Sequence, residues 1–209
     1  MDTQTMPRRR GRPPKELAGY SETRESLLRA GVVVLTEKGF SATGIEEILR
    51  SVDVPKGSFY HYFASKDEFG LELIDQYAGY FAKKLHRILT NPTRSPLERL
   101  HDFVADAEAG MRRYQFKRGC LVGNLGQEMG VLPEGYRDRL RDVFADWEAR
   151  TARCLLEAQA AGEISRKVDC ANLAVVFWIG WEGAVLRAKL DGGPDALRTF
   201  ADAFFALLR

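Results

Sequence analysis

Thr43 to Phe69 reads TGIEEILRSVDVPKGSFYHYFASKDEF, and three helix starts are crowded into it. Thr43 and Glu46 have the spacing of a capping box, in which the hydroxyl takes an early helical N–H and the carboxylate returns the bond. Ile45, Ile48 and Leu49 give the helix that follows an apolar stripe. Val52-Asp53-Val54-Pro55 then breaks it, because residues before proline avoid the α region. Pro55 suits the first position of a second helix, which buries Phe59 and Phe63 at i, i+4 and leaves Lys56, Ser58, His61 and Tyr62 outside. Ser65 and Glu68 form a second capping box, opening a long helix through Phe69, Leu73, Tyr77 and Phe81. Two short helices across a tight turn have the form of a helix-turn-helix, whose second helix enters the major groove of DNA.

The exposed side of that second helix is polar, aromatic and basic. Hydroxyls, a lysine and helix N-termini donate to phosphate oxygens and fix register without reading sequence, a description that fits Thr43, Ser58, Tyr60 and Lys66. Lys56 can donate to guanine, and His61 can touch a base edge or a phosphate. An ordinary solvated helix face with aromatic packing is the plainer reading of the same residues. Around this core stand Gly39-Phe40 with Thr43 three residues on, VPKGSFYHYF at 54–63 and Ser65-Lys66, all behind an amphipathic helix from Ser21 to Lys38. In that order they resemble the DNA-binding domain of the TetR family of bacterial repressors. The resemblance implies DNA contacts from Thr43, Lys56, Gly57, Ser58, Tyr60, His61, Tyr62 and Lys66, with Phe59 and Phe63 in the core.

The leader MDTQTMPRRRGRPPKELAG precedes this module. From Met1 to Lys15 it holds Arg8, Arg9, Arg10, Arg12 and Lys15 against Asp2 alone, a charge of +4 when the whole chain is +2. A Pro-rich block without apolar periodicity is expected to be disordered and drawn to polyanions. Arg10-Gly11-Arg12-Pro13 resembles an AT-hook, in which Arg10 and Arg12 would lie in a narrow minor groove. A solubilising tail is the alternative.

The 209 residues, 45% apolar, suffice for a sizeable core. The most apolar run, Ala171 to Leu186, is short for a bilayer and contains Asn172 and Glu182, so no membrane partner is expected. Cys120, Cys154 and Cys170 are odd in number and lack a C-x-x-C spacing, which points to reduced thiols in the cytoplasm with neither disulfide framework nor metal site. Helix signals continue to the end. Ser95-Pro96-Leu97-Glu98 starts one helix, Pro133 another that stops near Gly162, Asp169 caps a third to Leu190, and Asp191-Gly192-Gly193-Pro194 turns into a last one carrying Leu197, Phe200, Phe204 and Leu208. The expected fold is all-α: an arm over 1–20, a helix-turn-helix domain over 21–67, and a helical ligand-sensing and dimerisation domain over 68–209.

The last two helices are the expected self-association surface. Gly180, Gly183, Ala184 and Ala188 permit close approach, and Phe200, Phe204 and Leu208 form an apolar stripe. In the TetR family the last two helices form a dimer interface, and a homodimer implies a pseudo-palindromic operator of double-stranded DNA. Gly119 to Gly130, GCLVGNLGQEMG, carries four glycines, each weakening a helix by about 1 kcal/mol relative to Ala, and is expected to deform. If helical, it sets Cys120, Asn124, Gln127 and Glu128 on one side, with Lys117, Arg118 and the helix N-terminus favouring a Cys120 thiolate. GCLVGNLGQE and the later FWIGWEGAVLRAKL resemble a TetR subgroup that senses reactive electrophiles or small unsaturated acids such as acrylate. Two mechanisms follow from that resemblance. Either an electrophile or oxidant modifies Cys120, with Lys189 as a nearby cation or amine, or a ligand is held reversibly by Trp178, Trp181, Asn124 and Arg187. No cofactor is implied. An enzyme pairing Cys120 with His86 or His101 has no supporting motif, and an architectural A·T-rich DNA binder without effector response is the remaining alternative.

Overall fold

A computed structural model describes the backbone of residues 15–208 and the side chains of residues 20–208. Arg10 and Arg12 of the arm lie outside the described residues. The all-α class is borne out: helices α1 (Lys15–Lys38), α2 (Ile45–Ser51), α3 (Phe59–Tyr62), α4 (Lys66–Leu89), α5 (Pro96–Arg113), α6 (Leu121–Gln127), α7 (Glu134–Ala160), α8 (Cys170–Asp191) and α9 (Asp195–Ala206) make up the described chain, with a 3-10 turn, Lys56–Ser58, leading into α3.

Local signals set most boundaries. Ser95 and Glu98 close a reciprocal capping box at α5, Asp169 accepts from the Asn172 amide at α8, and Gly192, at φ 66°, ends α8 in the left-handed region. At α4 the Ser65 hydroxyl accepts from the Glu68 amide, while Glu68 accepts from Ala64 rather than from Ser65. One expected cap is absent. Thr43 does not cap α2, whose N-cap is Gly44; its hydroxyl donates to the Gly39 carbonyl at 2.6 Å. Glu46 is thereby free to pair with Lys56 across the turn. The helix expected from Ser21 begins at Lys15, since Glu16, Leu17 and Ala18 are strong helix formers.

Aromatic residues mark two centres of packing. Phe59, Phe63 and Phe69 meet at centroid distances of 4.7–5.5 Å and tie the short α3 to α4. The larger centre joins Phe81, Phe103, Trp147, Phe177, Trp178 and Trp181 from four long helices, as in the 4.5 Å approach of Phe81 to Trp147 and the 4.8 Å approach of Trp147 to Trp178. α4 takes part in both. No described helix is long and apolar enough to cross a membrane.

Candidate nucleic-acid interface and effector cavity

The segment Lys56–Tyr62 is a one-sided element. Phe59 is fully buried, while Lys56, Gly57, Tyr60 and His61 are exposed and Ser58 and Tyr62 are half-buried. Tyr62 packs on Tyr20 of α1 at 4.7 Å, and the Tyr20 hydroxyl donates to the His61 carbonyl at 3.0 Å. These contacts hold the far end of the element against α1. Asp53, at φ 54°, makes the turn between α2 and Pro55. Lys56 pairs with Glu46, which raises the lysine and lowers the carboxylate from their ordinary values. Cation, hydroxyls and aromatic edge thus project from a face whose reverse is anchored by phenylalanines.

A second site lies deeper. A cavity of about 340 Å³ is lined by α1, α4, α5, α8 and the segment before α6. Phe81, Phe103, Met111, Trp181 and Val185 make it apolar, and Tyr77, Cys120 and Glu182 supply a polar end. Lys84 and Arg118 stand on its wall, the first paired with Asp106, the second donating to Glu37 at 2.8 Å and lying 3.9 Å over the Tyr114 ring. Cys120 is the N-cap of α6, its sulfur accepting from the Gly123 amide at 3.5 Å. A side chain at Gly123 would collide with the Glu182 carboxylate, so glycine there admits the acid beside the thiol. Burial, and then the adjacent Glu182, push the Cys120 thiol well above the usual range. Burial does the same to Tyr77, aided by Cys120 and Glu182, and lifts Glu182 itself to about 7. Near neutral pH, Tyr77 and Cys120 are therefore uncharged.

Between the two sites, the end of α1 is gripped by the body of the protein. Asn124 donates to the carbonyls of Leu35 at 3.1 Å and Thr36 at 3.0 Å, the Gly119 amide donates to Thr36 at 3.2 Å, and Lys189 donates to Thr36 at 3.0 Å and Glu37 at 3.2 Å. Glu128 accepts from the amides of Phe40 at 2.8 Å and Ser41 at 2.7 Å. Carbonyls at a helix C-terminus have no intrahelical donors, so these bonds complete α1 while tying it to α6 and α8.

Comparison with known proteins fits this geometry. The profile described as "Bacterial regulatory proteins, tetR family" matches residues 27–73, and that described as "Tetracyclin repressor-like, C-terminal domain" matches residues 96–204. The transcriptional regulator AcuR of Cereibacter sphaeroides is 53% identical over 196 residues, covering 94% of this chain and 89% of AcuR. The transcriptional repressor NemR of Escherichia coli K12 is 30% identical over 183 residues, covering 84% and 88%. A crystal structure of a regulatory protein TetR from Rhodobacter sphaeroides superposes with a TM-score of 0.85 at 54% identity, covering 86% of this chain and 95% of the other. The chain belongs to the TetR family. It is a DNA-binding transcriptional repressor and not an enzyme.

Within this TetR-family architecture several expected roles shift. Thr43 is buried, with its hydroxyl spent on Gly39 and its amide on Phe40, so it has no donor for phosphate. Lys66 turns inward, donating to the Phe40 carbonyl at 2.8 Å and lying 4.3 Å over the Phe40 ring, and burial lowers its pKa. Of the expected effector residues, the cavity contains Cys120 and Trp181. Trp178 instead donates to Thr151 at 3.0 Å, Asn124 and Lys189 hold α1, Gln127 is exposed, and Arg187 faces Asp191 on the surface. The expected common face fails because Cys120 precedes the first turn of α6 while Asn124 and Glu128 point to α1. The expected thiolate fails because burial, and then the adjacent Glu182, hold the thiol protonated, while Arg118 is committed to Glu37. His86 and His101 do not line the cavity, and His101 stacks on Phe205 at 3.6 Å.

The expected dimer residues also move. Phe204, Leu208 and Ala184 are buried within the single chain, and Gly180 lies directly under the Phe200 ring, so these close α9 onto α8. The face left open on α8 carries Val176, Ile179, Leu186 and Leu190, with Ile179 71% and Leu190 75% exposed. The small residues Gly180 and Ala184 and the stripe of Phe200, Phe204 and Leu208 thus lie on the sides by which α8 and α9 meet each other. Tyr77, Lys84, Arg118 and Glu182 were missed as cavity residues; the one local hint was an acid inside the otherwise apolar run of α8.

Proposed function

We propose that the protein is a cytoplasmic homodimer that represses transcription from a pseudo-palindromic operator and is released when a small effector fills the cavity beside Tyr77, Cys120 and Glu182. The division into an arm over 1–20, a DNA-reading domain over 21–67 and a sensing and dimerisation domain over 68–209 belongs to this reading. Lys56, Gly57, Ser58, Tyr60, His61 and Tyr62 present the DNA-reading surface, and the open apolar face of α8 meets the second copy.

The observation that carries the proposal is continuity. Cys120 lines the cavity, while its neighbours Gly119 and Asn124 hold the last carbonyls of α1, the helix against which the recognition element is anchored. A ligand that displaces the Cys120 segment therefore acts on α1 and, in a dimer, on the separation of the two reading elements. To move occupancy from 99:1 to 1:99 it must prefer the released form by about 5.5 kcal/mol. The neutral, buried thiol supports reversible occupancy by a small unsaturated acid such as acrylate over attack by a thiolate.

Operator binding by wild type and Cys120→Ser, with and without acrylate, a quinone and hypochlorite, tests this. Acrylate is expected to release both proteins to a similar extent. Release of wild type alone by all three compounds would replace reversible occupancy with thiol chemistry.

A further inference from the structure

The cavity opens into an outer groove between α4 and α5, with which it shares Tyr80, Lys84, Gly110 and Tyr114. That groove holds Lys83, Lys84, Arg87 and Arg113 against one acid, Asp106. A mouth of this charge concentrates anions and steers them inward. The inner end has the opposite character. There the Glu182 carboxylate sits over Gly123 beside Cys120 and Tyr77, and neither supplies a positive charge. On the other side of α8, Glu182 borders a groove with Arg141 and Glu148 of α7. The cations on the cavity wall, Lys84 and Arg118, already pair with Asp106 and Glu37.

Resting on the reading of this cavity as the effector site, we infer that the effector is a small carboxylic acid taken up together with one proton, and that Glu182 is the residue that holds the proton. The mouth selects an anion, yet the chamber behind it already contains a carboxylate. A ligand carboxylate bound in this space of about 340 Å³ is taken at roughly 8 Å from Glu182, a little under the diameter of a sphere of that volume. A second negative charge so placed makes ionisation of Glu182 less favourable. At an effective dielectric near 20, an anion about 8 Å away suppresses ionisation of Glu182 about thirtyfold. Burial has lifted Glu182 to about 7, so the proton is within reach at neutral pH. Below that value Glu182 is neutral and the acid binds at full strength. Above it, binding must bring a proton from solvent, and affinity falls with rising pH. Tyr77 and Cys120 titrate too high to contribute.

Calorimetric titration of the intact protein with acrylate from about pH 6 to about pH 9 reads this directly, with propionamide as the uncharged probe. Wild type is expected to lose about twentyfold in acrylate affinity across the range. Glu182→Gln is expected to lose none and, at the alkaline end, to bind acrylate more tightly than wild type. Propionamide should bind both proteins weakly and without pH dependence. Repeating the wild-type titration near pH 8 in two buffers of different ionisation heat should show about two-thirds of a proton absorbed, a reading that needs no variant. Equal, pH-independent acrylate affinities, or no proton uptake, would overturn the role of Glu182 and leave the effector site standing. Propionamide binding as tightly as acrylate at pH 6 would overturn the choice of an acid. Failure of acrylate to bind either protein would overturn the effector reading and this inference with it.

Discussion

At the recognition element, Lys56, Tyr60 and His61 face water and the reverse side is pure hydrocarbon; around Cys120, ionisable groups are turned inward and hydrocarbon encloses them. The first arrangement leaves charges ready for a polyanion, where many exposed contacts add up. The second shifts Tyr77, Cys120 and Glu182 toward their neutral forms, so that an arriving charge has a large effect on a few partners. A reader of DNA needs many weak, solvent-screened contacts, whereas a sensor needs few and strongly coupled ones. The α1 terminus, held by Asn124, Gly119, Lys189 and Glu128, lies where the two regimes meet.

The largest effect is expected where the exposed element depends on its buried reverse. Lys56–Tyr62 is too short to hold helical form alone, since isolated helices below about 12 residues are marginal in water. Its shape is imposed by Phe59 against Phe63 and Phe69. Phe59→Ala is expected to cost about 3–5 kcal/mol, abolishing operator binding, while α4 to α9 keep their helical signal and ligand affinity. Thermal unfolding followed by circular dichroism, together with operator titration, checks both halves. Persistent operator binding would mean that the element is shaped by something other than this cluster.

The same contrast explains what could be read from residues alone. The DNA-reading module announces itself because its signals are local: Pro55, the Phe59 and Phe63 spacing and Ser65 act within a few positions of one another. The cavity is assembled from Thr36, Tyr77, Phe103, Cys120 and Glu182, which belong to five separate segments, and no short-range pattern brings them together. Even inside the module, Thr43 misled. Its capping-box spacing is genuine, but its hydroxyl bonds the Gly39 carbonyl and leaves α2 without a side-chain cap. On α8, an apolar circumference gave the helix without telling its inner face from its outer one, because Gly180 and Ala184 suit either neighbour.

The joint between the regions offers a smaller and more selective effect. Asn124→Ala removes two donors from α1, yet Thr36 keeps Gly119 and Lys189, and Leu35 keeps the Gly39 amide. Stability is therefore expected to fall by about 1 kcal/mol. Coupling should suffer more. The drop in operator affinity caused by saturating effector is expected to shrink about fivefold to tenfold, with effector affinity for DNA-free protein unchanged. Linkage requires operator-bound protein to show the same shrinkage when effector is the titrant, so two independent titrations must agree. If both are unchanged, the signal reaches the recognition element through α4 and not through α1.

The smallest effect is expected at an exposed cation, Lys56. Lys56 already neutralises Glu46 in the free protein, so binding DNA exchanges one partner for another and gains less than an unpaired lysine would. Lys56→Gln should weaken operator binding about tenfold or less. The salt dependence tells what Lys56 touches. A phosphate contact lowers the slope of log affinity against log salt by about 1 and weakens all sequences alike, whereas a guanine contact makes the loss depend on the base at one position. Glu46→Gln should act in the opposite direction, tightening binding by releasing the lysine. If Glu46→Gln weakens binding instead, the pair is a device for aiming Lys56, and the acid is part of the reading surface rather than a competitor for its charge.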